Sequence, residues 1–427
     1  MKARSVTLTG ISWVSATLLL ATSPLAHADP VFKLGLYGQA SAHSENTYLN
    51  VQDFTPNHRW RTDLDQLVFE PEIEFTPKLE LETEVEFEHG GAGTALEYSP
   101  FEEAGEFESE VEQGGEVRIE KFQLLYKAKS WFNIKGGYFT VPIGWSGIRD
   151  LPMDHFTVER SRSEGNVIPL DWSEMGVGIT GEVGMFNYEY DFVSGLDSEF
   201  FRKYSWIAPA GKRRLESSFS DDWAHAVRLD YGFARDHRVI GASLYYGNAT
   251  GARQKDGKLT EPSEVLIGDV HALYSWEGFK LRALYLRGYL TNANLVGLAN
   301  ASLPGVANPA GFASVGKQSE AGYAELGYDL KHLWPEFFEL PFDVFGRYDH
   351  WDSMKEAPTH GTRDPRFRAS TWTAGMNAYI YKQDVLLKLQ YASVRSGLDS
   401  IPTDHQIALG LGFRFFPRAG DAEDEIL

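Results

Sequence analysis

Polar and apolar positions alternate through most of residues 67–88. Leu67, Phe69, Ile73 and Phe75 are apolar, with Glu70, Glu72 and Glu74 between them. After Thr76-Pro77-Lys78, the apolar Leu79, Leu81, Val85 and Phe87 alternate with Glu80, Glu82, Glu84, Glu86 and Glu88. A period of two sends successive side chains to opposite faces of a strand. One face is therefore greasy and the other is a row of carboxylates. The same dyad recurs at Phe122, Leu124 and Tyr126, at Val227, Leu229 and Tyr231, at Val385, Leu387, Leu389 and Tyr391, and at Ile407, Leu409, Leu411 and Phe413.

Sixteen strands are predicted, at residues 31–43, 60–75, 79–89, 116–128, 132–141, 173–181, 185–194, 223–233, 239–247, 264–276, 279–288, 320–330, 341–350, 369–380, 385–395 and 404–416. Their connections alternate short and long. The short ones fall at 76–78, 129–131, 182–184, 234–238, 277–278, 331–340 and 381–384. The long ones fall at 44–59, 90–115, 142–172, 195–222, 248–263, 289–319, 351–368 and 396–403. An even strand number with short turns at one rim and long loops at the other is the arrangement of bacterial outer-membrane barrels. A soluble β-sandwich also alternates. The strand number is high for one, however, and Tyr188, Tyr190, Trp276, Tyr285 and Tyr391 sit on the apolar face near strand ends, as in an aromatic girdle. The predicted fold class is all-β, a transmembrane antiparallel barrel occupying residues 29–417.

Composition narrows the function. The chain of 427 residues has no cysteine and a formal charge of −20. That excludes disulfides, thiolate chemistry and Cys-based metal sites, and the acidic balance argues against nucleic acid as a partner. Lys2 and Arg4, an apolar stretch at 11–20 and Ala26-His27-Ala28 read as a signal peptide cleaved near Ala28. Loss of Lys2 and Arg4 takes the charge to about −22. No later run of about 18 apolar residues offers a spanning helix. In hydrocarbon every backbone polar group must be paired within the protein, so a closed barrel is the remaining way to span. Sixteen strands enclose a lumen wide enough for water. The localisation expected is the cell outer membrane, with lipids and lipopolysaccharide as surroundings. Residues 418–427 read as a short charged tail.

Inward charges are the candidate chemistry. Glu70, Glu72, Glu74, Glu80, Glu82, Glu84 and Glu86 form one band of a lumen wall. Lys121, Lys127 and Lys129, with Lys135 a strand further, form a facing lysine band. Arg228, Arg282, Arg347, Lys388 and Arg414 are further wall candidates. The 142–172 connection carries Arg149, Asp150, Asp154, His155, Glu159, Arg160, Arg162 and Glu164, and is the candidate constriction. Opposed charges there would set a transverse field. Enzyme motifs such as G-x-S-x-G, H-E-x-x-H and a P-loop do not occur. No catalytic residue, metal site or cofactor is expected. Asp53 and the Asp221-Asp222 pair are weak Ca²⁺ candidates. The run Glu102, Glu103, Glu106, Glu108, Glu110 and Glu112 is foremost a solvated face, with cation bridging to lipopolysaccharide as the sharper alternative.

Several segments resemble the family of phosphate-selective porins O and P. These are residues 136–144 (GGYFTVPIG), Glu159-Arg160-Ser161, residues 176–181 (GVGITG), residues 322–330 (GYAELGYDL), residues 345–349 (FGRYD), Gly375-Met376-Asn377 and residues 388–391 (KLQY). The resemblance implies an outer-membrane porin, with outer-membrane surroundings and sister copies in a homotrimer as partners, and with the loop at 142–172 folded into the lumen. Phosphate selectivity is not carried over, because a carboxylate wall departs from an anion channel. Residues 410–416 (GLGFRFF) resemble the C-terminal signal read by the barrel assembly machinery. The function expected is a water-filled channel for passive diffusion of ions and small hydrophilic solutes, with a modest cation preference. The alternatives are a barrel sheath around a periplasmic electron-transfer or secretion partner, and a barrel enzyme.

Overall fold

A computed structural model describes residues 29–47, 57–91, 95–96, 111–112, 115–212, 219–233, 237–253, 258–303, 314–381 and 383–416. The signal peptide, Asp53, Glu102 to Glu110 and the tail lie outside these residues. The strands are β1 (Val31–Thr47), β2 (Asn57–Thr76), β3 (Leu79–Glu88), β4 (Ala95–Leu96), β5 (Val111–Glu112), β6 (Glu116–Lys129), β7 (Phe132–Thr140), β8 (Ser173–Val183) and β9 (Phe186–Ser194). There follow β10 (Trp223–Phe233), β11 (Arg238–Asn248), β12 (Glu264–Trp276), β13 (Phe279–Leu290), β14 (Gln318–Asp329), β15 (Phe342–Glu356), β16 (Arg368–Tyr381), β17 (Val385–Ser396) and β18 (Asp404–Phe415).

Each strand of the barrel pairs antiparallel with its neighbours in sequence. β18 returns to β1, from Leu36 opposite Phe415 to Ser44 opposite Ile407, and this pairing closes the cylinder. Closure removes the unpaired edges that an open sheet presents. The tiny β4–β5 ribbon stands apart from the barrel. All sixteen expected strands are present. β15 runs on to Glu356, and the connection expected at 331–340 contains a helical turn, Leu330–Leu333, capped by Asp329.

The outer face is apolar. Val227, Leu229 and Tyr231 on β10, Leu387, Leu389 and Tyr391 on β17, and Ile407, Leu409 and Leu411 on β18 are all exposed. Trp131, Trp276 and Tyr381 ring the rim of short turns, while Trp223, Tyr246 and Trp372 lie toward the rim of long loops. So continuous an apolar surface far exceeds what soluble monomers expose.

The interior departs from the expectation of a wholly polar lumen. On the inner face of β10–β14, Ala226, Tyr245, Val265, Ile267, Leu284 and Leu286 are buried in an apolar cluster. They are covered by Trp145, Ile168 and Trp172 from the 142–172 loop, and by Phe201, Trp206 and Ile207 from the 195–222 loop. The second loop was expected outside, yet it folds inward beside α2 (Ala293–Ala301). Trp206 Nε1 donates to Gly316 O at 2.9 Å, and Asn300 Nδ2 donates to Ser198 O at 2.7 Å. The lumen beside β10–β14 is thus a packed core. Gly288 makes room for it, since a Cβ there would run into the Trp206 ring.

Candidate channel constriction

The 142–172 connection leaves β7 and crosses the lumen before rejoining the wall at β8. Gly144 takes a positive φ of 81°, a conformation natural to glycine, where the chain turns inward. Its N–H donates to Asp269 Oδ2 at 3.0 Å and its carbonyl accepts from Arg228 Nη1 at 2.9 Å. A single helical turn, α1 (Arg162–Gly165), is capped by Ser161, whose Oγ accepts from Glu164 N. Glu164 then accepts from Trp145 N at 2.7 Å, from Ser146 N at 3.0 Å and from Ser146 Oγ at 2.8 Å. This carboxylate braces the loop from within. It does not face the passage, which corrects its assignment as a constriction charge.

The loop is tied down on the far side by inward polar residues. Lys388 Nζ donates to the carbonyls of His155 at 3.1 Å and Thr157 at 2.8 Å. Asn377 Nδ2 donates to Phe156 O at 3.0 Å, and Val158 N donates to Gln390 Oε1 at 2.7 Å. Ser163 Oγ donates to Asp349 Oδ1 at 3.0 Å. Phe156 stacks on Phe345 with centroids 5.4 Å apart, beneath the Arg282 guanidinium at 4.4 Å. A Cβ on Gly327 would strike the Phe156 ring, so that glycine seats the loop. Arg228, Arg282, Arg347 and Lys388 do point inward, but each holds or lies against the loop, and Arg228 also borders the larger cavity described below. They are anchors and not bare channel wall, a second correction. Arg414 sits at the short-turn rim, paired with Asp384 at 3.2 Å.

Water-accessible space remains along the β1–β6 wall. A cavity of about 590 Å³ lies against Glu70, Glu84, Glu86, Glu120, Lys121 and Asp150. A second of about 360 Å³ lies against His43, Asp63, Asp65, Glu88, Glu159 and Arg160. The loop stands between them. The carboxylate rows are threaded with cations: Lys33 holds Glu72 at 2.8 Å and Glu74 at 2.7 Å, Lys127 holds Glu80 at 2.5 Å, and Lys121 stands 3.5 Å from Glu84. Gln123 Nε2 donates to Glu82 Oε2 at 2.6 Å. A bulge lets Glu84 face Lys121 while Val85 faces Ile119, which turns both Glu120 and Lys121 toward the lumen. Lys135, expected to join this band, instead pairs with Glu189 and with Asp191 on β9. Lys129 lies over the Trp131 ring at the short-turn rim, outside the band.

Between the cavities an ion network closes the gap. Arg118 Nη2 lies 3.0 Å from both Glu86 and Glu88 and 3.2 Å from Asp171, and its Nε lies 2.7 Å from Glu120. Arg160 grips Asp171 through two nitrogens, at 2.5 Å and 3.1 Å. Arg162 pairs with Glu159 at 2.6 Å, and Arg149 with Asp154 at 3.2 Å. Burial opposes ionisation of Asp171 and Glu159, yet their arginines prevail and hold both carboxyls down at about 2. Burial, then the nearby Glu84 charge, pushes Asp150 up to about 7. His155 lies well below the usual imidazole range, through burial and then the Lys388 charge.

Carboxylate oxygens converge within 4.8 Å at Glu72–Glu74–Glu80 and at Glu86–Glu88–Asp171. Lys33 and Lys127 sit in the first group and Arg118 in the second, so the protein's own cations already fill both. Asp221 pairs with Lys258 at 2.8 Å, and Asp222 accepts the N–H groups of Gly251 and Ala252. Sequence reasoning missed Tyr37, Gln39, Arg118, Glu120 and Asp171. The first two share the polar phase of β1 with Ser41 and His43, a signal available in the alternation itself.

No family model matches the chain. An uncharacterised protein of Aquifex aeolicus (strain VF5) is 24% identical over 370 residues, covering 86% of this chain and 78% of that protein. Among solved structures, OprB of Pseudomonas putida at high pH aligns with a TM-score of 0.53 at 11% identity, covering 90% of this chain and 94% of its own. An anion-selective porin from Comamonas acidovorans gives 0.51 at 10% identity, covering 91% and 100%. The outer-membrane channel DcaP of Acinetobacter baumannii gives 0.51 at 11% identity, covering 90% and 97%. This chain therefore has the sixteen-stranded fold of outer-membrane porins.

Proposed function

We propose that this protein is an outer-membrane porin through which ions and small hydrophilic solutes diffuse passively, with a modest preference for cations. One observation carries the reading: an apolar cylinder encloses two acid-lined cavities that meet at an inserted, anchored loop. The outer face suits hydrocarbon, with its aromatic residues at the two interfaces. The short turns then face the periplasm and the long loops the exterior. Carboxylates outnumber cationic side chains nine to four in the lining of the larger cavity, and a surplus of fixed negative charge draws cations. The same surplus speaks against phosphate as the solute. The homotrimer, lipopolysaccharide contacts and assembly machinery implied by resemblance belong to this proposal.

The sheath reading fares worse, because the inserted loops occupy the space a threaded partner would need. Planar-bilayer recording of the purified protein is the test. Discrete conductance steps with a cation-leaning reversal potential are expected in a KCl gradient. A folded, heat-modifiable barrel that stays electrically silent would overturn the channel, and a strong anion preference would overturn the selectivity.

A further inference from the structure

Arg160 and its partner join the two cavities. Arg160 lines the one toward the long-loop rim, and Asp171 lines the one toward the short-turn rim. The fork of two N–H···O bonds between them spans the junction. Arg118 shares Asp171 from the other side and also holds Glu86, Glu88 and Glu120. Two guanidiniums thus serve four carboxylates, and the junction keeps a negative surplus.

The two arginines differ in how they are mounted. Arg118 belongs to β6, whose backbone is paired with β3 and β7. Arg160 belongs to the inserted loop, beside Glu159. Carboxylates of the cavity it already lines, Asp65, Glu88 and Glu159 among them, offer a second seat for its guanidinium. The pair thus stands where the two cavities adjoin.

Resting on the channel reading, we propose that Arg160 is an exchangeable counter-ion at the junction, and that the favoured solutes are organic cations bearing a guanidinium group, which replace it on Asp171 as they pass. Without Arg160, Asp171 keeps only the Arg118 contact, which it shares with Glu86, Glu88 and Glu120, and is left under-compensated in a low-dielectric place. A guanidinium solute restores both bonds of the fork in the same plane. Potassium carries charge without that geometry, and an anion meets only the surplus carboxylates. The hand-over swaps one ion pair for an equivalent one, so no bond is made or broken beyond hydrogen bonds. Binding stays weak enough for release, as conduction requires.

The test uses the purified full chain in planar bilayers, with KCl on one side and guanidinium chloride on the other. The wild type is expected to favour guanidinium over potassium several-fold. Asp171→Asn removes the carboxylate that takes the solute, so it should erase that preference. Arg160→Lys keeps the charge but holds Asp171 without the fork, so it should conduct like the wild type in KCl while guanidinium displaces it more readily and the preference rises. Arg395→Ala, at the exposed long-loop end of β17, should change neither. If Asp171→Asn yields no folded barrel, the lysine variant decides alone, and a preference in it that falls or stays unchanged overturns the proposal. A wild type that conducts without favouring guanidinium removes only this proposal. A wild type that never conducts removes the channel reading and this proposal with it.

Discussion

The Tyr37 hydroxyl lies 2.5 Å from Asp150 Oδ2 and 3.1 Å from Glu84 Oε1. One phenol carries a single proton to donate, yet two carboxylates, on the loop and on β3, both face it. Gln66 Nε2 donates to the Asp150 carbonyl at 3.1 Å, so the same loop residue is latched to β2 as well. Glu70, Lys121, Arg160 and Asp171 complete its charged surroundings. The latch is satisfied without repulsion only when Asp150 holds a proton.

The pH dependence of this latch has a definite sign. Asp150 moves from 3.8 up to about 7, so the latched state binds a proton that the released state gives up. Its stabilisation is full below the ordinary value and is lost as pH rises through about 7. Open-channel current noise is therefore expected to grow between about pH 5 and pH 8. Asp150→Asn should flatten that dependence, and Tyr37→Phe should raise the noise already at the acidic end. Wild-type noise indifferent to pH would refute the latch.

The barrel was legible because its signal is local. A period of two over residues 67–88 announces both a strand and its two faces, and each long loop follows from where the period breaks. The filled part of the lumen was less visible. Val265-Leu266-Ile267 on β12 and Leu284-Tyr285-Leu286 on β13 are apolar in both phases, which marks a strand covered on both sides. Assigning every inward position to water overlooked that. The roles of Glu164 and Lys388 could not be read at all. Each acts on backbone groups across a gap in sequence, Lys388 on His155 and Thr157, and no local pattern encodes that meeting.

Anchoring of the loop by Lys388 can be tested directly. Lys388→Met leaves the carbonyls of His155 and Thr157 without their shared donor in a buried place. A hydrogen bond contributes about 0.5–1.5 kcal/mol net, and there are two here whose acceptors would be left buried, so a loss of about 2–3 kcal/mol is expected. Denaturant unfolding in detergent micelles measures it. Conductance should rise as the loop gains freedom, and a variant of unchanged stability would argue that Lys388 bears no load there.

Seating of the second loop depends on an absent side chain. At Gly288 a Cβ meets the Trp206 ring, so Gly288→Val should cost about 1–3 kcal/mol through overpacking. Gly346 also stands on a barrel strand, but a Cβ there meets nothing within 4 Å. Gly346→Ala is therefore expected to be near neutral in the same unfolding assay. Equal costs at the two glycines would contradict the close approach at Gly288.

Charge at the passage and charge inside the loop should separate cleanly. Glu86→Gln removes one carboxylate from the junction network around Arg118, in contact with the larger cavity. The reversal potential in a KCl gradient should move toward anions, since the fixed negative surplus falls. Glu164→Gln removes the same charge from a group 1% exposed, whose oxygens serve Trp145 and Ser146. That change should cost about 1–3 kcal/mol of stability with little movement of the reversal potential. Screening adds a further check, because the Debye length falls from about 10 Å at 0.1 M salt to about 3 Å at 1 M. The Glu86→Gln shift must therefore shrink as the KCl concentration rises, and a shift that persists undiminished at 1 M would mean the substitution acts by reshaping the passage and not through its charge.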